Sequence, residues 1–135
     1  MKKVFLGLIA ILLLVGCQSK ALSGETISAA GGSYKNVTPK ELNPMLKDKD
    51  FVLVNVHIPF AGDIAATDLS IPYDQIGQSL SQLPADKAAK IVLYCRSGHM
   101  SQIAAEDLVS RGYTNVWNLK GGMVEWEKAG FEIQK

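Results

Sequence analysis

Cysteine and histidine are scarce in this chain of 135 residues, which contains two of each. Cys17 and Cys95 stand far apart, so the sequence has no C-x-x-C motif and is not of the dithiol oxidoreductase type. His57 and His99 have no thiolate or carboxylate cluster near them in the sequence at a spacing typical of metal ligands. We therefore predict neither a metal ion nor any other cofactor.

An excess of charge of either sign is also absent. The chain has 14 Lys and Arg against 13 Asp and Glu, which gives a formal net charge of +1. Because affinity for nucleic acid rests on clustered basic side chains, we do not expect a nucleic-acid partner. We also predict a monomer.

The chain has no apolar run long enough to cross a bilayer comfortably. Residues 4–16 are apolar and follow Lys2 and Lys3, a pattern typical of a signal peptide, which we place at residues 1–16. The sequence Leu14-Val15-Gly16-Cys17 resembles a bacterial lipobox, which implies acylation of Cys17 and a lipid-anchored protein outside the cytoplasm, facing the periplasm or on the cell surface. The alternative is a plain secretory signal in which Cys17 has no role.

The remaining chain divides into a leader and one domain. Residues 17–33 are rich in Ser, Gly and Ala and are predicted to be a flexible tether, so the folded domain should span residues 34–135. Apolar strand-like runs alternate with helical patterns along that domain, which predicts an α/β fold with a central, mostly parallel sheet and helices on both faces. The predicted strands lie at residues 51–56, 91–94 and 116–119, and the predicted helices begin at Thr38, Asp74, Ser101 and Met123.

Cys95 stands at a turn from strand to helix. Residues 91–94 have the apolar character of an interior strand, and residues 101–111 form an amphipathic helical pattern. Unpaired amide groups at a helix start favour an anion, and Gly98 lets the backbone bend so that successive amides converge. We therefore expect Cys95 to be an accessible, reactive thiolate held by its own main chain. The alternative is an inert buried cysteine.

With these residues in place, the chain resembles the rhodanese family. The resemblance rests on the loop Cys95-Arg96-Ser97-Gly98 after a strand and on the later segment Lys120-Gly121-Gly122-Met123, and it covers roughly residues 34–131. It implies a sulfurtransferase in which Cys95 takes a sulfane sulfur from a thiosulfate-like or persulfide donor and passes it to a thiol or cyanide. The residues implied in substrate binding form the loop after Cys95: Arg96, Ser97, Gly98, His99, Met100 and Ser101.

The chain departs from the family pattern at two places. Asn55-Val56-His57 stands where relatives commonly read Asp-Val-Arg, so a structural ion pair is expected to be lost, and Asn55 and His57 are candidate supporting residues behind the loop. Met100 stands where many loops carry a second arginine. One positive charge is therefore missing beside the sulfur, which favours a larger or less charged donor than thiosulfate.

Two other functions remain open at this stage. Phosphatases and arsenate reductases of related fold have a loop one residue longer, with an arginine six positions after the cysteine, where this chain has Ser101. The second alternative is a noncatalytic module that binds or senses sulfur compounds, in which Cys95 acts as a redox switch.

Overall fold

The computed structural model describes residues 24–135. The predictions of a signal peptide at residues 1–16 and of acylation at Cys17 lie outside the described residues. Within residues 24–135, six strands and three α-helices follow one another in this order: β1 Glu25–Ala29, β2 Gly32–Val37, α1 Pro39–Met45, β3 Val52–Asn55, β4 Leu69–Ser70, β5 Ile91–Tyr94, α2 His99–Ser110, β6 Val116–Leu119 and α3 Gly122–Lys128.

The strands form one sheet in the order β1-β2-β6-β5-β3-β4. Only β1 and β2 are antiparallel, and the other pairs are parallel. The predicted α/β fold with a mostly parallel sheet is therefore confirmed. Parallel strands place their carboxyl ends at one edge, which is where ligands bind in such sheets. Cys95, directly after β5, lies at this edge.

Each face of the sheet is covered by its own apolar cluster. Ile91 and Leu93 of β5 pack with Ala104 and Leu108 of α2. Val92 of β5 belongs to the other cluster, together with residues of α1 and α3 such as Leu42, Met123 and Trp126. Because successive side chains of a strand point to opposite faces, the two clusters lie on opposite sides of the sheet, and helices on both faces are confirmed.

Helix α1 begins as its sequence predicts. The carboxylate of Glu41 accepts a hydrogen bond from the backbone N–H of Thr38 at 2.9 Å, and the Thr38 hydroxyl accepts one from the N–H of Glu41 at 3.4 Å. This reciprocal pair is a capping box, and it satisfies amides that have no partner inside the helix. It fixes the point at which the chain leaves β2 and turns onto the face of the sheet.

The predicted tether is wrong for residues 25–33. These residues form a β-hairpin with β2, in which Ile27 lies opposite Tyr34. Ile27 and Ala29 pack against the cluster under α2, and Gly31 supplies the turn with a φ of +89°. Burial of these apolar side chains outweighs the small, polar character of the segment, so the folded domain begins near residue 24 instead of residue 34.

The helix predicted after Asp74 is also wrong. Two short 3-10 turns, Ile76–Gln78 and Leu80–Gln82, replace it, and no side chain caps either turn. Gly77 lies under the guanidinium of Arg111, and Ser79 between the two turns has a φ of −112°, which interrupts helical geometry. The apolar pattern was informative nonetheless, because Ile76 and Leu83 are buried. The pattern located the buried side chains without distinguishing the two kinds of helix.

Candidate active site

The loop after β5 wraps around the sulfur of Cys95. The backbone N–H of Gly98 donates a hydrogen bond to Sγ at 3.0 Å. The hydroxyl of Ser101 lies 3.4 Å from Sγ and 3.2 Å from the carbonyl oxygen of Gly98, so its proton is shared between them. Gly98 has a φ of +99° and is the N-cap of α2, which starts at His99, two residues earlier than predicted. The chain thus directs two polar donors at one sulfur atom.

Cys95 is nevertheless buried, with 1% of its surface exposed. The prediction of an accessible sulfur is therefore wrong for this conformation, whereas the predicted cradle of main-chain and hydroxyl donors is present. Arg96, Ser97 and His99 are exposed, and Gly98 and Met100 are partly buried. The sulfur thus lies beneath the loop, and a donor has to displace or pass between these exposed side chains to reach it.

Helix α3 holds the same loop from the other side. The backbone N–H of Met123 donates to the carbonyl of Cys95 at 2.9 Å, and that of Val124 donates to the carbonyl of Arg96 at 2.9 Å. Gly122, with a φ of +57°, sits so close that an added Cβ would lie 2.2 Å from the Cys95 carbonyl oxygen. The two loop carbonyls are thereby drawn toward α3. The segment Gly121-Gly122 entered the sequence prediction as part of the family resemblance, but its contact with the Cys95 carbonyl was not predicted, although two adjacent glycines before a helix are a signal of close backbone approach.

Asn55 organises the segment after β3. It is fully buried, its Nδ2 donates to the Gly62 carbonyl and to Asp63 Oδ1, each at 2.9 Å, and its Oδ1 accepts from the N–H of His57 at 3.0 Å. All these partners belong to the chain itself. Asn55 therefore shapes the loop that follows β3 and does not face the sulfur.

Asn55 joins a buried network centred on Tyr94. The Tyr94 hydroxyl donates to Asp63 Oδ1 at 3.0 Å, accepts from the N–H of Ile64 at 3.1 Å and lies 2.7 Å from the Thr67 hydroxyl. Burial is the main cause that raises the pKa of Tyr94 far above its ordinary value. This network ties the end of β5 to the loop after β3, and sequence reasoning missed it because its members are spread over 40 positions.

His57 lies beside the loop. Asn55 pairs with Tyr94, and the N–H of Val56 donates to the Tyr94 carbonyl at 2.9 Å, so the register places Val56 next to Cys95 and His57 next to Arg96. The ring nitrogen Nδ1 of His57 is buried and makes no hydrogen bond within residues 24–135. Burial, and then the charge of Arg96, lower the pKa of His57 below its ordinary value.

Two surface cavities lie away from this loop. One, of about 410 Å³, is lined by Lys40, Lys120 and Lys128 among others, and the second, of about 370 Å³, by Trp126 and Phe131 among others. None of the residues from Cys95 to Ser101 lines either cavity. The polar contacts of the loop, and not these two cavities, therefore indicate the chemistry.

Two further observations concern the described part of the chain. Residues 24–135 hold no group of three or more His, Cys, Asp or Glu side chains arranged to bind a metal ion. Among the helices of the same residues, none combines the length and the apolar character that crossing a membrane requires.

Comparison with known proteins assigns the family. The family model of the rhodanese-like domain matches residues 38–129, about two thirds of the chain. The chain belongs to the rhodanese-like family. A protein of Allochromatium vinosum named sulfurtransferase is 33% identical over 100 residues, covering 72% of this chain and 92% of its own. A rhodanese-like domain protein from Staphylococcus aureus has a solved structure that is 30% identical, with a TM-score of 0.61 over 75% of this chain and 99% of its own.

Another relative is longer than the segment that matches this chain. An uncharacterised protein of Synechocystis is 33% identical over 110 residues, which is 78% of this chain and 60% of that protein. The match thus supports the domain and a sulfurtransferase type of chemistry, and it leaves the substrates of each whole protein to be established separately.

Proposed function

We propose that this rhodanese-like domain is a sulfurtransferase in which Cys95 carries a sulfane sulfur as a persulfide. The observation that carries the proposal is the pair of donors on Sγ, the Gly98 N–H at 3.0 Å and the Ser101 hydroxyl at 3.4 Å. Such donors stabilise a sulfur anion more than a neutral thiol, and the anion is the nucleophile. The sulfurtransferase relatives support the same chemistry.

The reaction takes place in two displacement steps. The Cys95 thiolate attacks the outer sulfur of a thiosulfate-like donor, so that an Sγ–S bond forms while the S–S bond of the donor breaks and sulfite leaves with the electron pair. A thiol or cyanide then attacks the bound sulfur and returns Cys95 to the thiolate. Gly98 and Ser101 stabilise the sulfur anion at both ends of the cycle. Arg96 and His99, exposed on the loop, offer a positive charge and a hydrogen-bonding group to an anionic donor.

The proposal predicts a removable sulfur on Cys95. The purified chain, incubated with thiosulfate or with a persulfide, is expected to gain the mass of one sulfur atom, and a thiol is expected to remove it. Intact-mass spectrometry measures both steps. Cys95→Ser is the control, and it should gain nothing. Incubation with a phosphate ester in the same series tests the phosphatase alternative, since a phosphorylated Cys95 would contradict sulfur transfer.

A noncatalytic role is the second candidate, and the 1% exposure of Cys95 favours it. In that case the domain binds or senses sulfur compounds, and the thiol of Cys95 reacts with them only slowly. The two functions differ in turnover: a sulfurtransferase accumulates transferred sulfur on the acceptor over repeated cycles, whereas a sensor reacts at most once per molecule. Absence of any adduct with every sulfur donor would support the second function.

We further propose that the chain is anchored outside the cytoplasm by a lipid on Cys17. Support comes from Lys2 and Lys3, the apolar residues 4–16 and the lipobox-like Leu14-Val15-Gly16-Cys17. In bacterial cells given a radioactive fatty acid, the chain is expected to be labelled and to sediment with membranes. Cys17→Ser should abolish the label and release the chain, because a single thioether site holds the lipid. A chain labelled equally with and without Cys17 would contradict this anchor.

A further inference from the structure

The chain joins the sheet at the edge where Cys95 lies. Strand β1 runs antiparallel to β2, so its first residue, Glu25, pairs with Asn36 near the carboxyl end of β2. Asn36 pairs in turn with Asn118 of β6, and Asn118 pairs with Leu93 of β5. Glu25 thus lies in the same row of the sheet as Leu93, three strand spacings of about 4.8 Å away, or roughly 14 Å. Cys95 follows two residues beyond this row.

Side-chain and backbone contacts join the start of β1 to the loop of the candidate active site. The carboxylate of Glu25 lies 3.3 Å from Nζ of Lys120, which directly follows β6. The next residue, Gly121, lies so close to Gly98 that a Cβ added to Gly98 would be 3.1 Å from the Gly121 nitrogen. Gly98 in turn donates to Sγ of Cys95 at 3.0 Å. The first strand of the described chain therefore begins beside this loop.

Exposed cationic side chains follow the strands at this edge. Lys40, Lys120 and Arg96 come after the carboxyl ends of β2, β6 and β5, and all three are exposed. Lys120 pairs with Glu25, whereas neither Lys40 nor Arg96 forms an ion pair within residues 24–135. The carboxylate of Glu41, next to Lys40, accepts hydrogen bonds in the capping box. Two positive charges at this edge are thus left without an ionic partner in the described chain.

The loop after β3 adds apolar surface at the same edge. Ile58 is 37% exposed and Phe60 is 61% exposed, and both lie within five residues of the carboxyl end of β3. His57, which precedes Ile58, is next to Arg96 in the register of the sheet. The exposed apolar side chains therefore continue the row of cationic ones.

We propose that this edge of the sheet docks on a bilayer that carries anionic headgroups, with the loop of Cys95 facing the membrane. The inference rests on the proposed lipid on Cys17, and it adds an orientation to the proposed sulfur transfer. Lys40 and Arg96 attract lipid phosphates, and Phe60 enters the boundary between headgroups and acyl chains. Each contact is weak by itself, but the lipid keeps the edge and the bilayer at a high effective concentration.

The opposite edge of the sheet offers no comparable surface. The segment that leads into β3, Lys47-Asp48-Lys49-Asp50, alternates in charge, and Lys90 before β5 pairs with Asp50. The exposed large apolar side chains of residues 24–135 are Ile58, Phe60 and Ile103, and none of them lies in the segments that lead into the parallel strands. The distribution of apolar side chains thus favours one orientation over its reverse.

Labelling from the lipid tests this orientation. The lipidated chain is reconstituted in vesicles of phosphatidylethanolamine and phosphatidylglycerol that contain a lipid with a diazirine beside its headgroup, and labelled residues are mapped by mass spectrometry after irradiation. We expect label in residues 57–60 and 96–99, and about 10-fold less in residues 86–90 at the opposite edge. Vesicles of phosphatidylcholine, which has no net charge, should label residues 57–60 and 96–99 more weakly.

A matched pair of charge reversals distinguishes docking from simple tethering. Lys40 and Lys47 are both exposed and lie near opposite ends of α1, so Lys40→Glu and Lys47→Glu make the same change at opposite edges of the sheet. Lys40→Glu should lower the labelling of residues 57–60 in anionic vesicles by about 10-fold, whereas Lys47→Glu should leave it unchanged. Phe60→Ser should lower the labelling of residues 96–99, because the apolar contact is lost.

The possible failures point to different proposals. Equal labelling of the two edges, or equal effects of the two charge reversals, overturns the docking while the lipid anchor and the sulfur transfer stand. A chain that does not sediment with the vesicles overturns the anchor on Cys17 and the docking with it. A chain that gains no sulfur from any donor instead overturns the proposed sulfurtransferase, and intact mass measures this separately.

Discussion

Gly122→Ala is expected to slow formation of the Cys95 persulfide by about 100-fold and to destabilise the folded chain by about 3 kcal/mol. The added Cβ would lie 2.2 Å from the carbonyl oxygen of Cys95 and 2.8 Å from both the carbonyl carbon and oxygen of Arg96. These atoms belong to the backbone, so no side-chain rotation relieves the contact. The φ of +57° is a second penalty, because a residue with a Cβ pays about 1–2 kcal/mol in that region.

The effect on rate follows from what Gly122 holds in place. The N–H groups of Met123 and Val124 bind the carbonyls of Cys95 and Arg96, each at 2.9 Å. Displacing Gly122 moves these carbonyls, and with them the Gly98 amide that donates to Sγ. A shift of about 1 Å in such a cradle is enough for a loss of about 100-fold in rate. Stopped-flow loading with thiosulfate measures the rate of persulfide formation, and chemical denaturation measures the free energy of unfolding.

Gly130→Ala is the matched control. Gly130 also has a positive φ, of +90°, but a Cβ there would meet no atom within 4 Å. This variant therefore carries the conformational penalty without the collision, and its loading rate should equal that of the unaltered chain. Loading by Gly122→Ala at an unchanged rate, measured where the variant is fully folded, would show that α3 does not position the loop.

Tyr94→Phe is expected to destabilise the chain by about 3 kcal/mol. The change deletes one hydroxyl, leaves the buried N–H of Ile64 without its acceptor, and removes one donor from the carboxylate of Asp63, which keeps the bond from Asn55. An unsatisfied buried group costs about 1–3 kcal/mol, and the ring itself is retained, so no cavity term is added. For a domain of this size the midpoint of thermal unfolding should fall by roughly 15 °C, which calorimetry measures.

The same variant should also change the response to alkaline pH. The pKa of Tyr94 is raised in the folded chain, so the neutral phenol is favoured there, and its contribution to stability is complete below about pH 10. As the pH rises above that value, the unfolded chain releases the proton while the folded chain retains it, and stability falls. In Tyr94→Phe this loss should shrink, with the raised pKa of the buried Tyr34 accounting for the part that remains.

Tyr113→Phe provides the comparison for both measurements. Tyr113 is also buried, but its hydroxyl takes no part in the network, and the ring contact with Lys87 at 3.9 Å is kept in Phe. If Tyr113→Phe loses as much stability as Tyr94→Phe, the hydrogen bonds to Ile64 and Asp63 are not the cause of the loss in Tyr94→Phe.

The sequence predicted those elements that local pattern determines. The strand at residues 91–94 and the amphipathic helix after it follow from periodicity, and the position of Cys95 between them follows from both. Thr38 and Glu41 stand three residues apart at a helix start, so the capping box is readable directly. The family resemblance could be seen in the sequence because the residues that carry it are clustered in two short segments, and the family model confirms it.

What the sequence did not predict depends on partners that are distant in the chain. Residues 25–33 have the composition of a tether, because their small residues form a strand only when Ile27 and Ala29 pack against the cluster under α2. The contact of Gly122 with Cys95 joins positions 27 residues apart, and the burial of Sγ depends on how the loop folds over it. Propensity and spacing do not identify the distant partner in such contacts.

The hairpin at the start of the sheet also sets the distance over which the proposed lipid anchor can act. Seven residues lie between Cys17 and Glu25, the first residue of β1, and the eight Cα-to-Cα steps that join these two residues span at most about 28 Å when fully extended. The first strand of the sheet would therefore stay close to the bilayer surface, because the segment that joins it to the lipid is short. Donors and acceptors that are themselves bound to the membrane surface would meet this domain more often than dissolved ones.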